Sequence, residues 1–300
     1  MTTTPPFDDR DGYIWMDGKM LPWRDAKLHV LSHGLHYGGS VFEGERVYSG
    51  NIFKLREHSE RLKRSAEMLD FVVPMTVEEI EEASKEVIAA NNIVEGYVRP
   101  LAWRGSEQIA VSAQNCKVHV AFSCWAWPKY FFPKSGDGGG IALRTSRWRR
   151  PDPSTAPVQS KACGNYAIGT MAKHEAERAG YDDALLHDYK GRVAESSGSN
   201  IFCIKDGALK TPVPECFLNG LTRQTIIKLA CELGYKVEEG TIMPEDMKSF
   251  DEIFVTGTAA EVSAVSKIDD HEYKLGPVTK RLQDAYKDLV HSKGRNSAAA

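Results

Sequence analysis

Three short stretches of the chain place small residues beside groups able to do chemistry. In Ser160–Tyr166 (SKACGNY), Lys161 precedes small residues and then a helical pattern, so a bulky ligand could come close to its amine. A lysine sheltered from water loses its proton and attacks aldehydes to form a Schiff base. Leu218–Thr222 (LNGLT) stands immediately before a second helical pattern. Unpaired backbone N–H groups and the positive end of the helix dipole favour a phosphate there. Thr256–Glu261 (TGTAAE) follows an apolar strand pattern; its small residues leave N–H groups open to an anion, and Thr258 adds a hydroxyl donor. Each stretch also has a commoner explanation: a solvated loop lysine, an ordinary helix start, a tight turn. A rival set is His29, His33 and His36, spaced by four and three as metal ligands on a helix face would be. Gly34, Gly38 and Gly39 argue against a stable helix there, and no H-E-x-x-H arrangement occurs. No metal is expected.

The elements that must hold these groups can be read from local patterns. Tyr13–Met16, the turn Asp17-Gly18 and Lys19–Leu21 read as a hairpin ending at Pro22. Helices are expected over Arg56–Leu69 and Thr76–Asn91, the second opened by a capping box of Thr76 with Glu79. Strand patterns follow at Gly96–Trp103 and Lys117–Trp125. From Trp127 to Gly140 the composition turns to Pro, Lys, Ser, Asp and Gly, which reads as a linker. Beyond it come a strand at Ile141–Thr145, a polar loop over Arg147–Ser160, and a helix at Asn165–Ala179 closed by Gly180. Strands at Ala184–His187, Arg192–Glu195 and Ile201–Lys205 precede a helix at Thr222–Leu233. Strands at Glu252–Thr256 and Val262–Ile268 and a helix at Pro277–His291 complete the order. Strands and helices mix without regular β-α-β alternation. An α+β protein is therefore expected, with a small N-terminal domain over 1–125, an interdomain loop over 126–138 and a larger C-terminal domain over 139–300.

Bulk properties narrow the function classes. A net charge of −3, with both signs interspersed, gives no reason to expect nucleic acid or an anionic membrane as partner. The six cysteines form no C-x-x-C pair, and several sit in apolar runs, as reduced buried thiols do. Met1–Arg10 is polar and carries no apolar signal-like segment, and no run reaches membrane-spanning length. A cytoplasmic protein is expected.

Taken together the stretches resemble the fold-type IV pyridoxal 5′-phosphate (PLP) enzymes, and within them the branched-chain amino-acid aminotransferases. The resemblance runs from about Tyr13 to Lys293. It rests on His36–Arg46 (HYGGSVFEGER), Tyr97–Leu101 (YVRPL), Lys161–Tyr166, Ala194–Asn200 (AESSGSN), Leu221–Arg223 (LTR) and Gly257–Glu261, six motifs in order. It implies a two-domain fold with the PLP site between a small and a larger α+β domain. Lys161 would carry PLP as a Schiff base and move the substrate proton. Glu195 would face the pyridine nitrogen, and Tyr166 the phenolic oxygen. Arg61, Leu221, Thr222 and Thr258 would hold the phosphate. For the substrate, Ala259 and Ala260 would offer N–H groups to the α-carboxylate. Tyr37, Phe42, Tyr97, Trp127 and Tyr130 would wall the side-chain pocket, and Arg99 would receive the second carboxylate of glutamate.

The implied reaction transfers the amino group of Leu, Ile or Val to 2-oxoglutarate, as in branched-chain amino acid biosynthesis, by a homodimer that builds each site from both subunits. D-amino-acid aminotransferases, (R)-selective amine transaminases and aminodeoxychorismate lyases share the fold; the FEGxR and YxRP motifs favour the branched-chain group. Three departures stand out: Cys163 where a small Gly or Ala is expected, Ser196 and Ser199 in the E-G-x-G-x-N pattern, and Glu45 where many relatives have an aliphatic residue.

Overall fold

In the computed structural model, Asp17 and Gly18 take φ of 48° and 83°. Two successive positive φ values are the mirror-image turn geometry that matches strand twist. It joins β1 (Tyr13–Met16) to β2 (Lys19–Pro22) at the expected register, Met16 opposite Lys19. The structure describes residues 5–127 and 139–297. Among these, the chain divides into two compact units, one of residues 5–127 with Ser160–Gly164, the other of residues 139–159 with 165–297. The lysine stretch therefore belongs to the first unit, although it falls within the range expected for the C-terminal domain. The linker expected at 126–138 lies outside the described residues from 128 onward.

In the first unit, α1 (His33–Tyr37), β3 (Ser40–Phe42), β4 (Glu45–Tyr48) and β5 (Asn51–Ile52) precede α2 (Leu55–Glu67) and α3 (Val77–Ala90). Strands β6 (Gly96–Arg104) and β7 (Val118–Ala126) follow. The antiparallel sheet runs β2-β1-β7-β6-β4-β5, with β3 also on β6. Thr76 caps α3 as expected: its hydroxyl accepts from the Glu79 N–H at 3.2 Å, and the Glu79 carboxylate accepts from the Thr76 N–H at 2.7 Å. Leu62 and Ala66 of α2 and Ile80, Ala83 and Val87 of α3 pack with Val41, Val47, Val98, Ala102 and Phe122 of the sheet into one core. Each fully buried large side chain contributes roughly 1.5–3 kcal/mol of burial.

Because residues paired across strands share a face, the register sorts this sheet into two surfaces. Glu45 opposite Val98 and Val47 opposite Gly96 lie on the helix-covered face. Phe42 opposite Leu101 and Arg46 opposite Tyr97 lie on the other, together with Arg99 two residues along β6.

The second unit holds β8 (Ile141–Arg150), α4 (Tyr166–Arg178), β9 (Asp183–Asp188), β10 (Val193–Ser196), β11 (Asn200–Lys205) and β12 (Ala208–Thr211). After these come α5 (Leu221–Glu232), β13 (Val237–Glu239), β14 (Glu252–Gly257), β15 (Glu261–Ile268), β16 (His271–Glu272) and α6 (Pro277–Ser297). The sheet order is β10-β9-β8-β15-β14-β11-β12-β13, with β16 on β15. A further pairing of β10 with β11, Glu195 opposite Asn200, closes six of these strands into a ring. Ile141, Leu143, Leu185, Val193, Ile201, Cys203, Val255 and Val265 form a core in this unit.

The sequence reading ended the first of these strands at Thr145; β8 in fact continues to Arg150. Its distal half is polar, with Arg147, Arg149 and Arg150, yet it still pairs with β9 at Arg149–His187 and Arg150–Asp188 beyond a register shift. Gly180, at φ 86°, follows the C-cap of α4, as expected. The Gly-containing stretch around residue 34 does form a short helix, α1, whose His33 is buried.

Candidate active site

In the first unit, Lys161 is fixed by its backbone. Its carbonyl accepts from the Phe42 N–H at 3.1 Å, its N–H donates to the Ser65 hydroxyl at 3.0 Å, and Ala162 bridges to Val41. Ser160 adds a hydroxyl bond to the Ser65 carbonyl at 2.8 Å. The loop is thus tied to β3 and to α2, and the Lys161 Nζ stands 4.8 Å from the centre of the Phe42 ring. The half-buried amine meets an aromatic face, and the solvated loop lysine is the poorer description.

Arg61, on α2, is buried with Glu43. Its Nε and one Nη meet the two Glu43 oxygens at 2.7 and 2.8 Å, a two-pronged ion pair. His58, one helical turn earlier, places Nδ1 2.7 Å from the same carboxylate. Burial alone would raise the Glu43 carboxyl, but Arg61 and His58 outweigh it and hold it well below the usual carboxylate range. Burial holds the His58 imidazole below its ordinary value, with Arg61 and Lys161 adding to this against the pull of Glu43. A neutral imidazole donating from Nδ1 to an ionised Glu43 fits both directions.

On the open face of the sheet, Phe42, Tyr97, Arg99 and Trp127 come together. The Arg99 guanidinium lies 4.6 Å from the Phe42 ring centre and 5.4 Å from that of Tyr97, and donates to the Tyr97 hydroxyl at 3.3 Å. Tyr97 and Trp127 meet edge to face at 4.5 Å. Gly44 makes this possible, because a Cβ there would collide with the Tyr97 hydroxyl. Tyr37 stands apart from the cluster, half exposed and stacked on His33. Tyr130 lies outside the described residues. The histidine trio makes other contacts: His36 meets the Val30 carbonyl, and His29 accepts from the Leu31 N–H.

In the second unit, Glu195 and Asn200 form the centre. Asn200 Nδ2 donates to Glu195 Oε2 and to the Leu218 carbonyl, both at 3.1 Å. Arg150 Nε lies 2.7 Å from Glu195 Oε1. That nitrogen is out of line for a hydrogen bond, so the contact is one of charge. The two terminal nitrogens of Arg150 donate to the Asn165 and Ser197 carbonyls, each at 3.2 Å. Tyr166 begins α4, which runs so close to the 197 turn that a Cβ on Gly169 would collide with the Ser197 carbonyl oxygen.

The two small-residue turns gather on the same strand end. Asn200 pairs with Thr256 of β14, and its Oδ1 leaves no room for a Cβ on Gly220. Gly220 is the N-cap of α5 and supplies no side-chain cap, so the first N–H groups of the helix, at buried Leu221 and Thr222, are not capped by it. Thr258, Ala259 and Ala260 form the turn between β14 and β15, with Gly257 opposite Glu261. A Cβ on Gly257 would meet the Ser199 hydroxyl at 3.2 Å.

Sequence reasoning missed three supporting side chains. Arg150 lies where polar composition reads as a loop, and Glu43 and His58 carry no motif that links them to Arg61. Only the i, i+3 spacing of His58 and Arg61 on one helix offered a local signal.

A lysine against an aromatic face, buried arginine–carboxylate pairs and a helix start without a side-chain cap are the features that the two units present. The chain belongs to the class IV amino-transferase family, whose pattern matches residues 40–268. It is 45% identical over 282 residues, 93% of this chain and 96% of the relative, to a probable branched-chain-amino-acid aminotransferase of Rickettsia felis. It is 42% identical to the branched-chain-amino-acid aminotransferase of Pseudomonas aeruginosa, with 95% of each chain covered. The branched-chain amino acid aminotransferase of Thermobaculum terrenum, solved in its PLP form, matches with a TM-score of 0.85 and 31% identity, over 95% of this chain and 97% of that one. The fold is that of the fold-type IV aminotransferases.

Proposed function

We propose that the protein is a PLP-dependent branched-chain-amino-acid aminotransferase that moves the amino group between L-leucine, L-isoleucine or L-valine and 2-oxoglutarate. The observation that carries the substrate reading is Arg99 set among Phe42, Tyr97 and Trp127. A transaminase of this kind accepts an apolar side chain and a carboxylate in one pocket. Ring faces suit the methyl groups, and a guanidinium is needed for the carboxylate, which an apolar wall would desolvate at high cost. The names of the relatives favour this group over the D-amino-acid and (R)-amine enzymes of the same fold.

The residues present fit the cofactor. A helix start without a side-chain cap suits a phosphate, a buried carboxylate suits a pyridinium nitrogen, and a lysine fixed by its backbone suits an aldehyde. Arg61 with Leu221, Thr222 and Thr258 would hold the phosphate, while Tyr166 and Glu195 would hold the ring edge. Bound PLP supplies an aldehyde to capture the amino group and a ring that accepts electrons from the substrate α-carbon. Lys161 would hold the cofactor through its amine and, as a free amine, would carry the proton removed from the substrate α-carbon. The N–H groups of Ala259 and Ala260 bind the α-carboxylate. Glu195, with its charge fixed by Arg150 and Asn200, opposes the positive charge of the ring nitrogen.

The working form is a homodimer. Val30, Leu35, Tyr37, Ile109 and Val111 are exposed apolar side chains on the first unit, more than an isolated surface favours. Light scattering on the purified protein should give twice the mass of 33.3 kDa or a multiple of it, and a monomer contradicts this. Free cysteines, several of them buried, suit a reducing compartment, and we place the enzyme in the cytoplasm.

Steady-state kinetics of Arg99→Met test the substrate reading. The KM for 2-oxoglutarate should rise by about 10- to 100-fold, the loss of charge-assisted hydrogen bonds, with leucine little changed. Equal effects on both substrates would remove Arg99 from this role.

A further inference from the structure

Glu45 is a buried acid that the reaction leaves unused. It lies on the helix-covered face of β4, opposite Val98 and two residues from Val47, and is fully buried. Neither carboxyl oxygen has a hydrogen-bond partner among the described residues. Glu43, two residues earlier, is equally buried but is taken up by Arg61 and His58. A carboxylate without partners in an apolar core is far less stable than the neutral acid, so a group in this setting keeps its proton. The charges that act on Glu45 are those of Glu43 and Arg61.

The state of Glu45 decides the charge balance behind Arg61. Glu43 and Arg61 cancel, and His58 is held neutral. A neutral Glu45 leaves the cluster at zero, while an ionised one makes it negative, facing a ligand that is itself an anion. Resting on the reading of Arg61 as a phosphate ligand, we propose that Glu45 is a positioning residue kept as an un-ionised carboxylic acid, whose proton keeps the Glu43–Arg61 cluster able to accept a phosphate. Burial and the neighbouring Glu43 push this carboxyl well above the usual range, against the pull of Arg61. Phosphate binding and the Glu45 proton are then linked: each favours the other.

The test is binding of pyridoxamine 5′-phosphate, which needs no bond to Lys161, to the full chain freed of cofactor, across neutral to alkaline pH. It is run on wild type, Glu45→Gln and Arg61→Lys. Glu45→Gln, which is always neutral, should match wild type at the lower end and bind on the order of tenfold more tightly where wild-type Glu45 has ionised, the effect of one unit charge across a partly screened interior. Infrared spectroscopy on wild type should show the carbonyl stretch of a protonated carboxylic acid at neutral pH, fading as the pH rises and missing in Glu45→Gln. Parallel pH profiles for wild type and Glu45→Gln, or no such infrared band, overturn the proposal while Arg61 keeps its role. Undiminished binding by Arg61→Lys is a different failure, which removes the reading of Arg61 and the proposal with it.

Discussion

Each unit contains a buried arginine–carboxylate pair, and the two pairs are built the other way round. In the first unit Glu43 is wholly buried and spends both oxygens on Arg61 and His58, so the carboxylate serves to aim the arginine. In the second unit Arg150 meets Glu195 by charge and donates to the Asn165 and Ser197 carbonyls. There the arginine ties the start of α4 and the 197 turn to Glu195, a buried carboxylate that Asn200 also holds. On the proposed reading, one ion-pair chemistry would prepare a cation for a phosphate in one place and an anion for a ring nitrogen in the other.

Removing the support should hurt most where saturation is greatest. Glu43→Ala leaves Arg61 buried without its partner and should cost about 3–5 kcal/mol of stability in denaturant unfolding of the cofactor-free protein. The same pair shapes the acid limb. Both His58 and Glu43 titrate below their ordinary values in the fold. Their stability is present above about pH 6.5 and 4.3 respectively, and is lost as the pH falls toward the folded values. Glu43→Ala should flatten the lower part of that loss, and an unchanged acid profile would mean that the pair is not what holds Arg61.

Arg150→Met should have a smaller effect on stability, about 1.5–3 kcal/mol for lost charged hydrogen bonds. If Glu195 faces the ring nitrogen as proposed, the substitution should lower kcat more than it raises KM. A pure KM effect would contradict the division of roles.

What the sequence revealed and what it concealed follow the same logic of distance. The Asp17-Gly18 turn and the Thr76–Glu79 cap are fixed by residues three or fewer positions apart, and the structure shows both as read. The small-residue stretches at 218–222 and 256–261 fall at the start of α5 and between β14 and β15, where their local patterns put them. Arg150 was not legible locally: its strand looks like a polar loop, and its partner Glu195 is a distant residue brought near by the β8–β9–β10 pairing. Glu45 stands in the sequence only as a charge where many relatives have an aliphatic residue, and its burial shows in the fold, opposite Val98. The short helix α1 forms in spite of its glycine, since the His33 N–H bonds to the Gly105 carbonyl and Gly34 packs against Trp103.

The most direct measurement is the visible absorbance of the purified protein, before and after L-leucine and, separately, L-glutamate. Wild type should carry the visible band of PLP held by Lys161, each amino acid should remove it, and Lys161→Ala should lack it from the start. A protein without that band after incubation with PLP, or one whose band only a D-amino acid or an amine removes, would contradict the proposed branched-chain activity.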